Sequence, residues 1–299
     1  MFRLLHVWLR RPDRVRTHTG SGLVIDFDYP SQMMPTLVLF GDLLEPEIRM
    51  LPHVLKKGMV AVDVGASIGT WALSAARAGA RVLACEPDPQ NVGTLRGNIA
   101  ANKLDARVEV RRIGLGSGRG WAQLVPQKRR YLNRVTRLGP EPGTGTSGVP
   151  EPADRFPLTT LDAFSEDEEL PRIDVVKVNT AGGELEVLDG CRGLLRQQRI
   201  DFLLLLDGDE IRAHLDEFTE FGYDIGIWDG DAARLRTVPL SSDLASLRRT
   251  PMNRYVILCR KAVTAHHAGV IGAGSIEAET GAETGVEVGD GTGSGAAVR

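Results

Sequence analysis

The sequence predicts an α/β fold, a mostly parallel sheet with helices on both faces, on three observations. Short apolar runs rich in β-branched residues alternate with segments of helical spacing from residue 60 to residue 260. Several runs, among them 60–64 (VAVDV), 173–178 (IDVVKV) and 201–206 (DFLLLL), leave no face for solvent. Strands of that kind belong to parallel sheets covered on both sides. The third observation is a glycine-punctuated turn, Gly65-Ala66-Ser67-Ile68-Gly69, set between the first such run and a helix-spaced segment, Trp71 to Gly79.

That turn is where a ligand is expected. A helix starting there directs its unpaired amides and the positive end of its dipole at the turn's contents. A glycine turn also serves plain packing, so the next strand decides. The run 81–85 (RVLAC) ends on Glu86, about 20 positions after Gly65, where an acid closing the second strand of a βαβ unit meets a ribose. The dinucleotide fingerprint G-x-G-x-x-G is absent, because Ser67 and Thr70 stand where glycines would be needed. This argues against a nicotinamide oxidoreductase. The pattern present, D-x-G-A-x-x-G followed by E-P, is similar to the S-adenosylmethionine site of Rossmann-like methyltransferases.

Composition narrows the class. With 299 residues, 42% of them hydrophobic, the chain can bury a full core. Its net charge of −3 gives no global drive toward nucleic acid. Cys85, Cys191 and Cys259 are far apart, match no zinc spacing and read as reduced core thiols of a cytoplasmic protein. No metal site is expected. No apolar stretch approaches the roughly 20 residues that cross a bilayer.

In chain order, residues 1–57 read as an N-terminal extension packing on the core. Its first 16 residues read as an amphipathic helix, packed on the domain or in peripheral contact with a membrane. Weak strand signals follow around Leu23–Ile25 and Leu37–Phe40. A helix over 45–57 is expected to kink or break at Pro52. The main domain spans 58–262. Within it the spacing predicts a helix over 89–103, a strand over 107–113 and a hairpin over 114–125. Residues 126–157, rich in Pro and Gly, are expected to be a loop or insertion. A short helix at 160–164, single helices over 182–198 and 210–221, and last strands at 223–228 and 254–260 complete the domain. The tail 263–299 lacks periodicity and reads as disordered.

The succession DVGASIG, CEPDPQNVGTLRGNIAANKL, TTLDAF and IDVVKVNTAGGELEVLDG resembles the FkbM-type methyltransferases over roughly residues 45 to 260. The resemblance implies a Rossmann-like class I methyltransferase with a seven-stranded sheet whose last strand is antiparallel. It also implies S-adenosylmethionine as cofactor and a hydroxyl of a small molecule, polyketide, sugar or glycolipid as acceptor. Carried onto this chain, Gly65, Ala66, Ser67 and Gly69 form the turn under the methionine moiety, Asp63 positions it, and Glu86 binds the ribose. Glu45 matches an upstream acidic residue of the family.

One departure stands out. The family run K-I-D-V-E-G-A-E-L-E-V-L carries two carboxylates where this chain has Asn179 and Ala181. Asparagine keeps an acceptor oxygen but takes no proton near neutral pH. Asn179 is therefore expected to touch cofactor or substrate, and Asp207, ending the next strand, is the candidate replacement base. The competing reading is a non-catalytic binding or scaffold protein on a methyltransferase fold.

Overall fold

The computed structural model describes residues 14–28, 46–125, 134–139, 155–180, 182–247 and 254–267. The strands, in chain order, are β1 (Arg14–His18), β2 (Val24–Asp28), β3 (Val60–Val64), β4 (Arg81–Cys85), β5 (Val108–Arg111), β6 (Gly114–Leu115) and β7 (Gly120–Val125). They continue with β8 (Arg134–Gly139), β9 (Arg155–Thr159), β10 (Ile173–Val178), β11 (Ile200–Leu206), β12 (Tyr223–Asp229), β13 (Arg234–Val238) and β14 (Tyr255–Arg260). The helices are α1 (Pro46–Val54), α2 (Thr70–Ala78), α3 (Pro89–Ala101), α4 (Leu161–Asp167) and α5 (Glu184–Asp189). After them come α6 (Arg192–Arg196), α7 (Asp209–Leu215), α8 (Glu217–Glu220) and α9 (Lys261–His267).

The main sheet has the order β13-β12-β14-β11-β10-β3-β4-β5. The strands from β11 through β10, β3 and β4 to β5 run parallel, and β14 is antiparallel to both of its neighbours. The expected seven strands are therefore joined by an eighth, β13. It follows a turn in which Asp229 Oδ1 accepts from the amides of Asp231 and Ala232. Arg234 and Arg236 interrupt its apolar content and hid this edge strand from the sequence reading. Chain order reverses between β3 and β10, so the crevice at their carboxyl ends is the topological switch point where open α/β sheets bind ligands.

The sheet separates two apolar layers. Ala61, Val175 and Leu204 face α1, α2, α3 and the β1–β2 hairpin. Val62, Val176 and Leu203 face α4 to α8. Pro52 lies inside α1, which runs on past it to Val54, so no break occurs there. The segments expected as single helices over 182–198 and 210–221 are each split. Gly190 ends α5 because any Cβ there would overlap the Gly116 carbonyl. Asp162 then starts α6 afresh, accepting from the amides of Gly193 (2.9 Å) and Leu194 (2.8 Å). At the second break the Asp216 carboxylate turns to the Ser241 amide.

Three further expectations change. Arg14–Arg16 belong to β1, so a helix over 1–16 does not extend that far, and residues 1–13 lie outside the described residues. Residues 114–125 are not a hairpin: β9 separates β6 from β7 in a second sheet of order β6-β9-β7-β8, cored by Ala122, Leu124, Phe156 and Leu158. Two strands of this sheet, β8 and most of β9, come from the span expected to be a loop. The tail reading from 263 also starts too early, since α9 reaches His267 and buries Thr264. The strand signal at 37–40 falls outside the described residues, as do 268–299.

The β1–β2 hairpin is held by two asparagines one helical turn apart, Asn98 on α3 and Asn102 at its C-cap. Asn98 Oδ1 accepts from the Asp26 amide (2.8 Å), and its Nδ2 donates to the carbonyls of Asp26 (3.1 Å) and Ile68 (2.9 Å). Asn102 repeats the grip on Val24 N (2.8 Å) and Val24 O (2.7 Å). Alternate residues of a strand present backbone groups to the same side, which is why side chains four apart on a helix reach Val24 and Asp26 in turn. Asn98 is fully buried and also grips the glycine turn. Asn98→Ala is expected to lower stability by about 2–3 kcal/mol because it strands buried polar groups. Asn102→Ala should cost about 1 kcal/mol. Urea midpoints at unchanged m-value measure both, and equal losses would contradict the central place given to Asn98.

Candidate active site

The glycine turn is built by backbone conformations that few side chains tolerate. Gly65 (φ 75°) and Gly69 (φ 96°) are left-handed, and Ser67 joins them at φ 51°. A Cβ on Gly65 would overlap the Asn179 carbonyl, so the end of β3 and the end of β10 touch main chain to main chain. The amides of Gly65 and Ala66 donate to Cys85 O, tying the turn to β4. No side chain caps the N-terminus of α2, whose cap residue is Gly69. Its first amides therefore have no side-chain cap, as at helix N-termini that accept anions.

Beneath the turn lies a buried ion pair. Lys177 Nζ donates to Asp63 Oδ1 at 2.9 Å and to the Gly65 carbonyl at 3.2 Å. Asp63 is completely buried and Lys177 nearly so. Burial presses the ammonium to release its proton, but the Asp63 carboxylate, with smaller contributions from Tyr255 and Glu47, leaves its pKa above the ordinary lysine value. Asp63 Oδ2 is buried with no hydrogen-bond partner among the described residues. Asp63 thus acts on the turn through Lys177. The sequence carried a signal for this pair: one acid in 60–64 and one base in 173–178 are the sole charges facing each other in register, Asp63 opposite Lys177.

Glu86 closes β4 at the mouth of the crevice. Its Oε2 accepts from Ser67 N (2.8 Å), while Oε1 accepts from Asp88 N (3.0 Å) and Asn91 Nδ2 (3.3 Å). Burial pushes its pKa above the usual carboxylate value, and these donors oppose the shift. Gly65, Ala66, Ser67, Gly69 and Glu86 therefore stand together, joined by the Ser67–Glu86 bond. Glu45 lies outside the described residues, as does Ala181.

Asn179 continues β10 into the crevice. Its Nδ2 donates to the Tyr255 hydroxyl at 2.9 Å, which leaves the tyrosine proton and Asn179 Oδ1 for other partners. Burial raises the Tyr255 phenol to about 12, with Lys177 pulling the other way, so it keeps its proton at neutral pH. Glu184 holds the following loop, accepting from Thr180 N (2.7 Å) and Gly182 N (2.9 Å). Nothing in the sequence announced Tyr255, which is brought in from β14. Asp207, the candidate base, is placed differently from expectation. Both of its oxygens are held by Arg212, at 2.7 and 2.6 Å, in a two-point fork. An oxygen so held must break an ion pair before it can take a substrate proton, which argues against Asp207 as the base. Among the described residues no His, Cys, Asp or Glu cluster is arranged to hold a metal.

Breaking the buried pair from one side is expected to be severe. Lys177→Met leaves an unpaired buried carboxylate and should cost about 3–5 kcal/mol. The double variant Asp63→Asn with Lys177→Met should recover much of that loss in denaturant unfolding. Additive single losses would show the two side chains to be uncoupled.

The chain is similar in sequence to known methyltransferases. The chain is 32% identical over 152 residues to the methyltransferase sdnD of Sordaria araneosa, covering 43% of this chain and 59% of that protein. It is 31% identical over 170 residues to the hexuronic acid methyltransferase AglP of Haloferax volcanii, covering 56% of this chain and 62% of that one. It therefore matches less than two thirds of the length of either relative. Shorter matches reach tRNA (guanine(37)-N(1))-methyltransferases. Among solved structures, methyltransferase FkbM of Methylobacillus flagellatus aligns with a TM-score of 0.40 and 18% identity, covering 79% of this chain and 56% of that one. Residues 63–226, from the buried Asp63 to the middle of β12, match the methyltransferase FkbM domain, and the chain belongs to that family.

Proposed function

We propose that the chain is an S-adenosylmethionine-dependent methyltransferase acting on a hydroxyl of a small molecule, sugar, glycolipid or polyketide. The observation that carries this reading is the bond from Ser67 N to Glu86 at the switch point, beside a helix N-terminus with no side-chain cap. The donor set fits the cofactor. Glu86 offers carboxylate oxygens to ribose hydroxyls, and the first amides of α2 suit the amino-acid carboxylate. S-adenosylmethionine supplies, when bound, a methyl group already activated on a sulfonium.

The residues around Asn179 then have positioning to do. Asn179 Oδ1 accepts from the acceptor hydroxyl, whose proton is lost to solvent as the oxygen takes the methyl group, and the Tyr255 hydroxyl, oriented by Asn179 Nδ2, donates to a neighbouring oxygen. Holding a nucleophile in line is itself worth a large share of the barrier. Among the described residues no free carboxylate stands at the ends of β10 and β11, since position 179 is an amide and Asp207 is engaged by Arg212. That same observation favours a second reading, a protein that binds cofactor and partner without turnover. Three buried, unpaired cysteines support a reducing, cytoplasmic setting. No described helix is long and apolar enough to cross a membrane. The name of the AglP relative supports a sugar-type acceptor over nucleic acid. For domain organisation, the proposed unit is 58–267, closed by α9, with an extension before it.

Calorimetry with S-adenosylhomocysteine tests the cofactor site. Glu86→Ala should weaken binding about 10- to 150-fold, the equivalent of losing roughly 1.5–3 kcal/mol of charge-assisted hydrogen bonding. An unchanged affinity in a folded variant removes Glu86 from the site. Methyl transfer to a library of hydroxyl acceptors separates enzyme from binder. In an active protein, Asp207→Asn should leave the rate within about threefold, whereas loss of the general base would cost about 10²–10⁴. A collapse of that size, with cofactor affinity intact, would restore Asp207 as the base.

A further inference from the structure

A further carboxylate is buried at the crevice end of the main sheet. Glu47, in the first turn of α1, is only 5% exposed. Three contacts place it. Arg49, also in α1, donates to the Gly230 carbonyl (2.6 Å), just past the end of β12. Arg254, just before β14, brings its Nη2 to 4.0 Å from Glu47 Oε1. The carbonyl of the same Arg254 accepts from the amide of Asp207, the residue after β11. Strands β11 and β12 run in one direction, both antiparallel to β14, so all three contacts lie at their carboxyl ends.

Glu47 also shares a face of the sheet with the buried pair. Asp63 follows Ala61 by two residues, Lys177 follows Val175, and Tyr255 precedes Ile257. Ala61, Val175 and Ile257 belong to the layer that α1 and α2 cover, and strand side chains two apart point the same way. The charge of Glu47 is felt at two of these groups. At Lys177, where burial works against the ammonium, the Asp63 carboxylate and, more weakly, Glu47 keep the proton on. At Tyr255 burial comes first, and Glu47 adds to it in holding the phenol protonated. Asp63 and Glu47 thus set two buried carboxylates beside the glycine turn, with Lys177 as the buried ammonium next to them. Asp63 Oδ2 has no hydrogen-bond partner among the described residues. Arg254 is half exposed, so water screens much of what it offers Glu47.

We infer that Glu47, together with Asp63, makes the floor of the crevice selective for positive charge, so that the site holds S-adenosylmethionine and releases S-adenosylhomocysteine. The two ligands differ by one methyl group and by the positive charge of the sulfonium. They share the ribose and the amino-acid end, so Glu86 and the turn amides grip both alike. A charge fixed in the crevice is what tells them apart. A carboxylate held out of water keeps its field over several ångströms, where an exposed one is screened. Such selectivity clears the spent product without any moving part. The inference rests on the reading of S-adenosylmethionine as cofactor.

Calorimetry of the full chain with S-adenosylmethionine, sinefungin and S-adenosylhomocysteine reads the selectivity. Sinefungin carries an ammonium where the sulfonium stands and transfers no methyl group. Both cationic ligands should bind about tenfold or more tightly than S-adenosylhomocysteine. Glu47→Gln should bring the three affinities within about threefold of one another, by weakening the cationic ligands. Arg254→Gln removes the cation beside Glu47 and should widen the preference. Asp231→Asn, which removes an exposed carboxylate at the same end of the sheet, should leave it unchanged. Equal binding of the three ligands, tighter binding of S-adenosylhomocysteine, or an undiminished preference in folded Glu47→Gln overturns the inference and leaves the cofactor reading standing. So does a loss in Asp231→Asn as large as in Glu47→Gln, since net charge would then be responsible. If Glu47→Gln does not fold, Arg254→Gln decides, and a preference unchanged or narrowed there overturns the inference. Binding of none of the three overturns the cofactor reading and the inference together.

Discussion

The Asp63–Lys177 pair is the constraint on which the architecture of the site depends. Two adjacent parallel strands, β3 and β10, set Asp63 and Lys177 opposite each other, in register and with almost no access to water. A buried ion pair contributes little net stability against an apolar alternative, because desolvation offsets its Coulomb attraction. What it fixes is arrangement. The lysine's second bond, to the Gly65 carbonyl, ties the glycine turn to β10, and the contact of Gly65 with the Asn179 main chain leaves no room for another packing. Register, turn and crevice are thereby set together.

From that point the fixation spreads outward through polar groups more than through apolar ones. Ser67 binds Glu86, Asn98 binds Ile68 O and the edge of β2, and Asn179 binds Tyr255. Each of these bonds joins elements far apart in the chain, and each is at least partly sheltered from water, where an unmade partner is expensive. The N-terminal hairpin is therefore connected to the turn by the one amide and two carbonyls that Asn98 serves. On the opposite face the TLD element does comparable work: Thr160 caps α4 through the Ala163 amide, and Asp162 caps α6.

A methyltransferase-type crevice without a free carboxylate at β10 or β11 has a chemical consequence. Asn179 and Tyr255 offer a neutral acceptor and a neutral donor, and neither exchanges a proton at physiological pH. Chemistry at such a site relies on geometry and on the intrinsic reactivity of what is bound.

The sequence by itself determined the α/β class, the strand–turn–helix around Gly65, the acid closing β4 and the family. These follow from local periodicity and from motifs whose residues are neighbours in the chain. Helix breaks were less legible, because Gly190 and Asp216 are ordinary in a helical pattern until Gly116 and Ser241 are brought against them. β8 and most of β9 were not legible as strands, since β8 carries Arg134, Arg137 and Gly139 and a segment rich in glycine and proline follows it. Tertiary structure alone decided the partners. Tyr255 reaches Asn179 only because β14 inserts antiparallel beside β11, and Asp207 is engaged only because one helical turn brings Arg212 back over it. Side-chain chemistry is written residue by residue, but whether a carboxylate is free or engaged depends on what the fold places within about 3 Å of it.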